Sequence, residues 1–118
     1  MRLIVTFDRF SVVRVPFPFT DRTATKNRPA LILSDAALFN RPIGHSVMAM
    51  ITSVSHAPWP LDCPLGDLAA AGLPAPSMVR FKLFTLDHRL VRGELGHLGP
   101  ADEGKVRHAL MELLALHP

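Results

Sequence analysis

Cysteine is nearly missing from this chain. The single Cys63 among 118 residues has no mate for an internal disulfide and no companion for a paired-cysteine metal site. A lone thiol fits a reducing compartment. Flanked by Asp62 and Pro64, with no histidine beside it, Cys63 reads as a small buried hydrophobe. Tyrosine is absent and aromatic residues reach only 7%, so any stacking of bases must rest on few rings. No apolar run approaches the length of a membrane span. The patch Leu3 to Phe7, hemmed by Arg2, Asp8 and Arg9, is too short for the apolar region of a signal peptide. The expectation is a cytoplasmic protein with no membrane partner. The histidines, at 45, 56, 88, 97, 108 and 117, form no HxH, HxxH or HxxxH pair, which argues against a metal site. A glycine-rich phosphate loop and a Gly-x-Ser-x-Gly elbow are also missing. No cofactor is expected.

What is present describes one globular domain. Hydrophobic residues make up 48% and charged residues 19%, a composition that can bury a core. The length suits a single domain over 1–118. Eleven prolines interrupt long helices, so many short elements are expected. A net charge of +3 leans towards a polyanionic partner.

The apolar pattern is mostly that of strands. Residues 10–19 read as a strand, with Val13, Val15 and Phe17 on a more buried face and Val12, Arg14 and Pro16 on the other. Phe17 and Phe19 are expected in the core. The polar stretch Thr20 to Asn27 has no apolar period and reads as an exposed loop. Ala30 to Leu33, Ser46 to Ile51, Ser77 to Phe84 and Leu90 to Leu98 read as further strands. Residues 36–40 and 67–71 suit helical turns. Pro58, Pro60 and Pro64 mark Val54 to Leu65 as a loop with at most an edge strand. Pro100-Ala101-Asp102-Glu103 is a helix start, and Val106, Leu110, Leu113 and Leu114 then follow one helix face. A helix over about 100–116 should therefore pack on the sheet. Strands followed by one terminal helix predict a mainly β (α+β) fold, an antiparallel and partly closed sheet.

Three segments, in order, resemble the MazF/PemK toxin family: Val12 to Asp21, Lys26 to Ser34 with its Arg28-Pro29-Ala30 block, and the strand ending in Ile51-Thr52-Ser53. Met78-Val79-Arg80 is similar to a later strand of that family. The resemblance implies an SH3-like β-barrel of the CcdB/PemK type, a homodimer, sequence-selective cleavage of single-stranded RNA, and a cognate antitoxin protein that occupies the RNA groove. There are departures. Phe10-Ser11 stands where the family usually has Gly-Asp. In one branch an acid follows the later arginine at the second position, where this chain has Lys82.

RNA cleaves when its 2'-hydroxyl attacks the adjacent phosphorus and expels the 5'-oxygen. A catalyst must remove one proton, supply another and stabilise the charge on the phosphoryl oxygens. Arg28, at the junction of loop and strand, can hold two phosphate oxygens in its guanidinium fork. Since arginine keeps its proton, it is a charge clamp. Thr52, at a strand end, can donate its hydroxyl to a phosphoryl oxygen. The resemblance assigns both matching positions a catalytic role. Arg80 and Lys82, two apart on a strand, share a face and form a cationic strip suited to a phosphate backbone. Lys26 and Arg22 in the polar loop, and Ser53 beside Thr52, complete the candidate RNA-binding set. Each has a plainer reading: a surface ion pair, a strand-end hydroxyl, a solvated loop. Asp21 and His88 are candidates for the general base. Trp59 is a stacking platform, a protein-contact anchor or a lid on the core. Two alternatives to a nuclease stand beside this reading. One is a non-catalytic poison of a protein such as DNA gyrase; the other is an inactive relative that keeps only binding.

Overall fold

A computed structural model describes residues 7–17 and 26–116. Its strands are β1 (Ser11–Pro16), β2 (Asn27–Ile32), β3 (His45–Ser53), β4 (Cys63–Pro64), β5 (Ser77–Asp87) and β6 (Glu94–His97). Between β2 and β3 the chain makes a wide helical turn over Ala36–Asn40 and a further turn, α1 (Arg41–Ile43). The helices α2 (Leu68–Ala71) and α3 (Pro100–Leu114) follow β4 and β6. All neighbours in the sheet are antiparallel, in the order β4-β5-β3-β2-β1-β6. The sheet curls into the partly closed barrel expected from the strand pattern. As expected, the proline-rich stretch holds only a short edge strand, β4.

The middle of the sheet is dry on both faces. Val12, Leu31, Ala49, Ile51 and Val79 join Val106 and Ala109 of α3 in one core cluster, and Val13, Val15, Ala30, Ile32, Met48 and Leu86 form another. Alternate residues of β1, β2 and β3 therefore divide between two interiors, as a period of two requires. As expected, the face of β1 with Val13 and Val15 is the more buried, while Arg14 is exposed and Pro16 half-buried on the other; Val12, on that other face, is nonetheless buried in the cluster with α3. Phe17, expected in the core, is only half-buried. It lies beyond the end of β1, with its ring 5.9 Å from the Lys82 ammonium. Phe19 falls outside the described residues.

The open seam between the edge strands is bridged by α2. A Cβ on Gly96 would lie 2.3 Å from the Ala70 carbonyl oxygen, so only glycine allows β6 and α2 to approach this closely. Asp102, in the first turn of α3, accepts the amide hydrogens of Gly66 and Asp67, both at 2.9 Å. That contact fastens the helix to the α2 segment. The apolar stripe of α3 outruns the sheet beneath it. Val106 and Ala109 are buried, Leu110 is half-buried, and Leu114 is 53% exposed. The packing expected for Leu113 and Leu114 is not made. With Phe10, Leu33, Val47 and Leu83, the end of the helix instead lines an apolar groove of about 370 Å³.

Candidate active site

The other end of the sheet carries a second cleft, of about 400 Å³. The β2–β3 register explains what meets there. Ile32, Leu31 and Ala30 pair with Met48, Ala49 and Met50. Continuing that register by two residues sets Arg28 across from Thr52 and on the same face. Adjacent strands lie about 4.8 Å apart, so the two side chains rise side by side. Both line the cleft. Arg28 is exposed, Thr52 half-buried.

The opposite wall comes from β5. Arg80 pairs with Met50, and the next registered pair is Leu83 with Ala49. Two surplus residues on β5 thus bulge at 81–82. Phe81 turns to the core beneath α3, while Arg80 and Lys82 both line the cleft with Ser53. The cationic strip expected from their spacing is present, but its two members differ. Lys82 is exposed. Arg80 is clamped: Nε and Nη2 donate to the two Asp62 carboxylate oxygens at 3.2 and 2.9 Å, and Nη2 also donates to the Ala57 carbonyl at 2.7 Å. Its guanidinium lies 4.7 Å from the Trp59 ring centre, a cation–π distance. The side chains of Arg80 and Asp62 are only 12% and 9% exposed. Hydrogen bonds from Arg80, helped by the Trp59 amide, hold the Asp62 carboxyl below its usual range against the opposing effect of burial. The acid therefore reaches this arginine from the loop before β4 instead of from position 82. Trp59 stands 46% exposed in the cleft lining, so it is not a lid on the core.

Sequence reasoning did not single out His56. The Thr52 hydroxyl and His56 Nδ1 are hydrogen-bonded at 2.8 Å, and His56 lines the same cleft. A turn brings them together: the His56 amide donates to the Ser53 carbonyl at 3.2 Å, and the Ser53 hydroxyl accepts the Ser55 amide hydrogen at 3.2 Å. A strand-end hydroxyl followed four residues later by a histidine was the only local signal. Asp62 left none, since it acts across 18 positions of chain.

Other candidates lie elsewhere. Lys26 precedes β2 and is exposed, outside the cleft lining; its carbonyl accepts the Phe17 amide hydrogen at 3.0 Å. Arg22 and Asp21 fall outside the described residues. His88 is at the far end of β3. Its Nε2 bonds the buried Ser46 hydroxyl at 2.7 Å, and Phe7 packs edge-on against its ring. Six residue steps of strand from Ser46 to Thr52 place it about 20 Å from the cleft. Burial, then the charge of His45, lowers the His88 pKa against the pull of Asp87. Among the described residues no cluster of His, Cys, Asp or Glu is placed to hold a metal ion, and no helix is long and apolar enough to cross a membrane.

Known proteins share this architecture. MazF within a MazE–MazF crystal structure from Deinococcus radiodurans matches with a TM-score of 0.73 and 26% identity, over 94% of this chain and 98% of that one. A structure of MazF from the same organism matches at 0.72 and 25%, over 95% and 99%. An endoribonuclease from Mycobacterial species, solved with its cognate antitoxin, shares the fold at 0.72 and 21%, over 95% and 96%. No curated protein matches. The family model for the PemK-like, MazF-like toxin of type II toxin–antitoxin systems spans residues 8–114. Since that span takes in every strand of the barrel and both walls of the cleft, the chain belongs to the PemK-like, MazF-like toxin family.

Proposed function

We propose that this toxin is a metal-independent endoribonuclease that cuts single-stranded RNA at selected sequences. Attack of the 2'-hydroxyl forms the O2'–P bond and breaks P–O5', leaving a 2',3'-cyclic phosphate and a 5'-hydroxyl. The observation that carries the reading is the pairing of Arg28 with Thr52 across β2 and β3 in one positive cleft. A guanidinium fork neutralises the phosphoryl oxygens, and a hydroxyl donates to one of them. Lys82 and Lys26 draw the backbone towards the cleft, and Arg80 shapes its wall. Trp59 offers an immobilised ring to a splayed base. The toxin acts in the cytoplasm as a homodimer, and its cognate antitoxin silences it by covering the cleft.

Incubation of the purified protein with a long single-stranded RNA in EDTA tests this. Defined cuts, lost in Arg28→Ala, support it. Intact RNA together with stalled DNA gyrase would replace the nuclease with a protein-directed poison.

A further inference from the structure

RNA cleavage by attack of the 2'-hydroxyl needs a proton acceptor, and the groups lining the cleft narrow the choice. Arg28, Arg80 and Lys82 are cations. Asp62, behind Arg80, has both oxygens engaged and its basicity lowered by the pairing. Of the described residues that line the cleft, His56 alone carries an imidazole, with a ring nitrogen whose lone pair can accept a proton.

Its attachment to Thr52 is informative. A hydroxyl has one proton. If Thr52 spent that proton on Nδ1, it would have none for a phosphoryl oxygen. The reverse direction suits both groups: Nδ1–H donates to the Thr52 oxygen, the Thr52 hydrogen stays free for phosphate, and the lone pair resides on Nε2. Among the described residues no hydrogen bond reaches Nε2, while Nδ1 is fixed at 2.8 Å. The turn through Ser53 and Ser55 sets the ring.

We infer that His56 is the proton acceptor for the 2'-hydroxyl in this cleft, an inference that rests on the nuclease reading above. Nε2 takes the 2'-hydroxyl proton as the O2'–P bond forms and P–O5' breaks. Water protonates the departing 5'-oxygen, and the hydroxide so formed is neutralised by the proton that the imidazolium returns to solvent. The same hydrogen bond keeps Thr52 aimed as a donor.

The test follows single-turnover cleavage of a long single-stranded RNA against pH, in EDTA, for the wild type, His56→Gln and His56→Ala. Binding of a 2'-O-methyl RNA oligomer is measured alongside. The charged groups that line the cleft with His56 are Arg28 from β2 and Arg80 and Lys82 from β5, with Asp62 of the loop before β4 paired to Arg80; among the described residues no helix residue lines the cleft. The wild-type rate is expected to rise with pH on the acid side and then level. His56→Gln should lose about 10²–10⁴-fold together with that acid limb, while binding stays within a few-fold. Added imidazole should restore part of the His56→Ala rate. A merely structural role would lower the rate but keep the limb and give no rescue, which overturns the inference. So does a His56→Gln protein as fast as a wild type that cuts; in that case the nuclease reading survives. If the wild type leaves RNA intact, both fall together.

Discussion

The Asp62 carboxylate grips the Arg80 guanidinium through two hydrogen bonds, at 2.9 and 3.2 Å. Pairing lowers the Asp62 pKa in the folded state. The stabilisation is therefore complete above the unfolded carboxyl value, about 3.9, and fades as pH falls through the lower folded value. Asp62→Asn should melt below the wild type at neutral pH, and the gap should close in acid. Melting temperatures across a pH series check this. A gap that persists unchanged into strong acid would mean the pair adds no pH-dependent stability.

Thr52 and Arg28 should fail in different ways. Thr52→Val removes the donor and keeps the shape, so the cleavage rate should drop about 10²–10³-fold with RNA affinity nearly intact. Arg28→Lys keeps the charge and discards the fork; its rate should sit nearer to Arg28→Ala than to the wild type. Single-turnover rates on one RNA substrate decide both points. An Arg28→Lys protein with full activity would show that charge alone suffices.

On the proposed reading, Lys82 holds the phosphate chain and reads no base. Lys82→Ala should weaken binding to all single-stranded RNAs alike and make the plot of log K against log salt shallower by about 0.7. Titrations of two unrelated oligomers at several salt concentrations provide the reading. A loss confined to one sequence would instead make Lys82 a base reader.

Asp102 should matter for stability and not for cleavage. Its buried carboxylate serves the Gly66 and Asp67 amides and lies 3.2 Å from the Lys105 ammonium. Asp102→Ala should cost about 1.5–3 kcal/mol. The change should show as a lower denaturant midpoint at unchanged slope. An unaltered midpoint would mean that water replaces the carboxylate without loss.

Local patterns disclosed more of this molecule than distant contacts did. The apolar runs at 30–33 and 46–51 read as strands because period-two burial is written into neighbouring residues. The likeness of those runs to a known family then supplied Arg28 and Thr52. The burial of Val12 stayed hidden, since its cluster is completed by Val106 and Ala109 of a helix that begins at Pro100. The stripe on α3 was legible, but where the sheet beneath it stops was not, which is why Leu114 stands in the open. Asp62 and Arg80 meet through loop geometry that no spacing rule encodes. His56 stayed obscure for a smaller reason: its proximity to Thr52 depends on how tightly the Ser53–His56 turn closes.

The surplus on β5 is two residues, an even number. Inward and outward positions consequently keep their parity on either side of it, and Arg80 and Lys82 emerge into the same space as Arg28. Removing one residue at 81 or 82 would exchange inside for outside along one arm of the strand. Length variation at this point is therefore tolerable only in pairs, and a single deletion would invert part of the cleft wall while leaving its composition almost untouched.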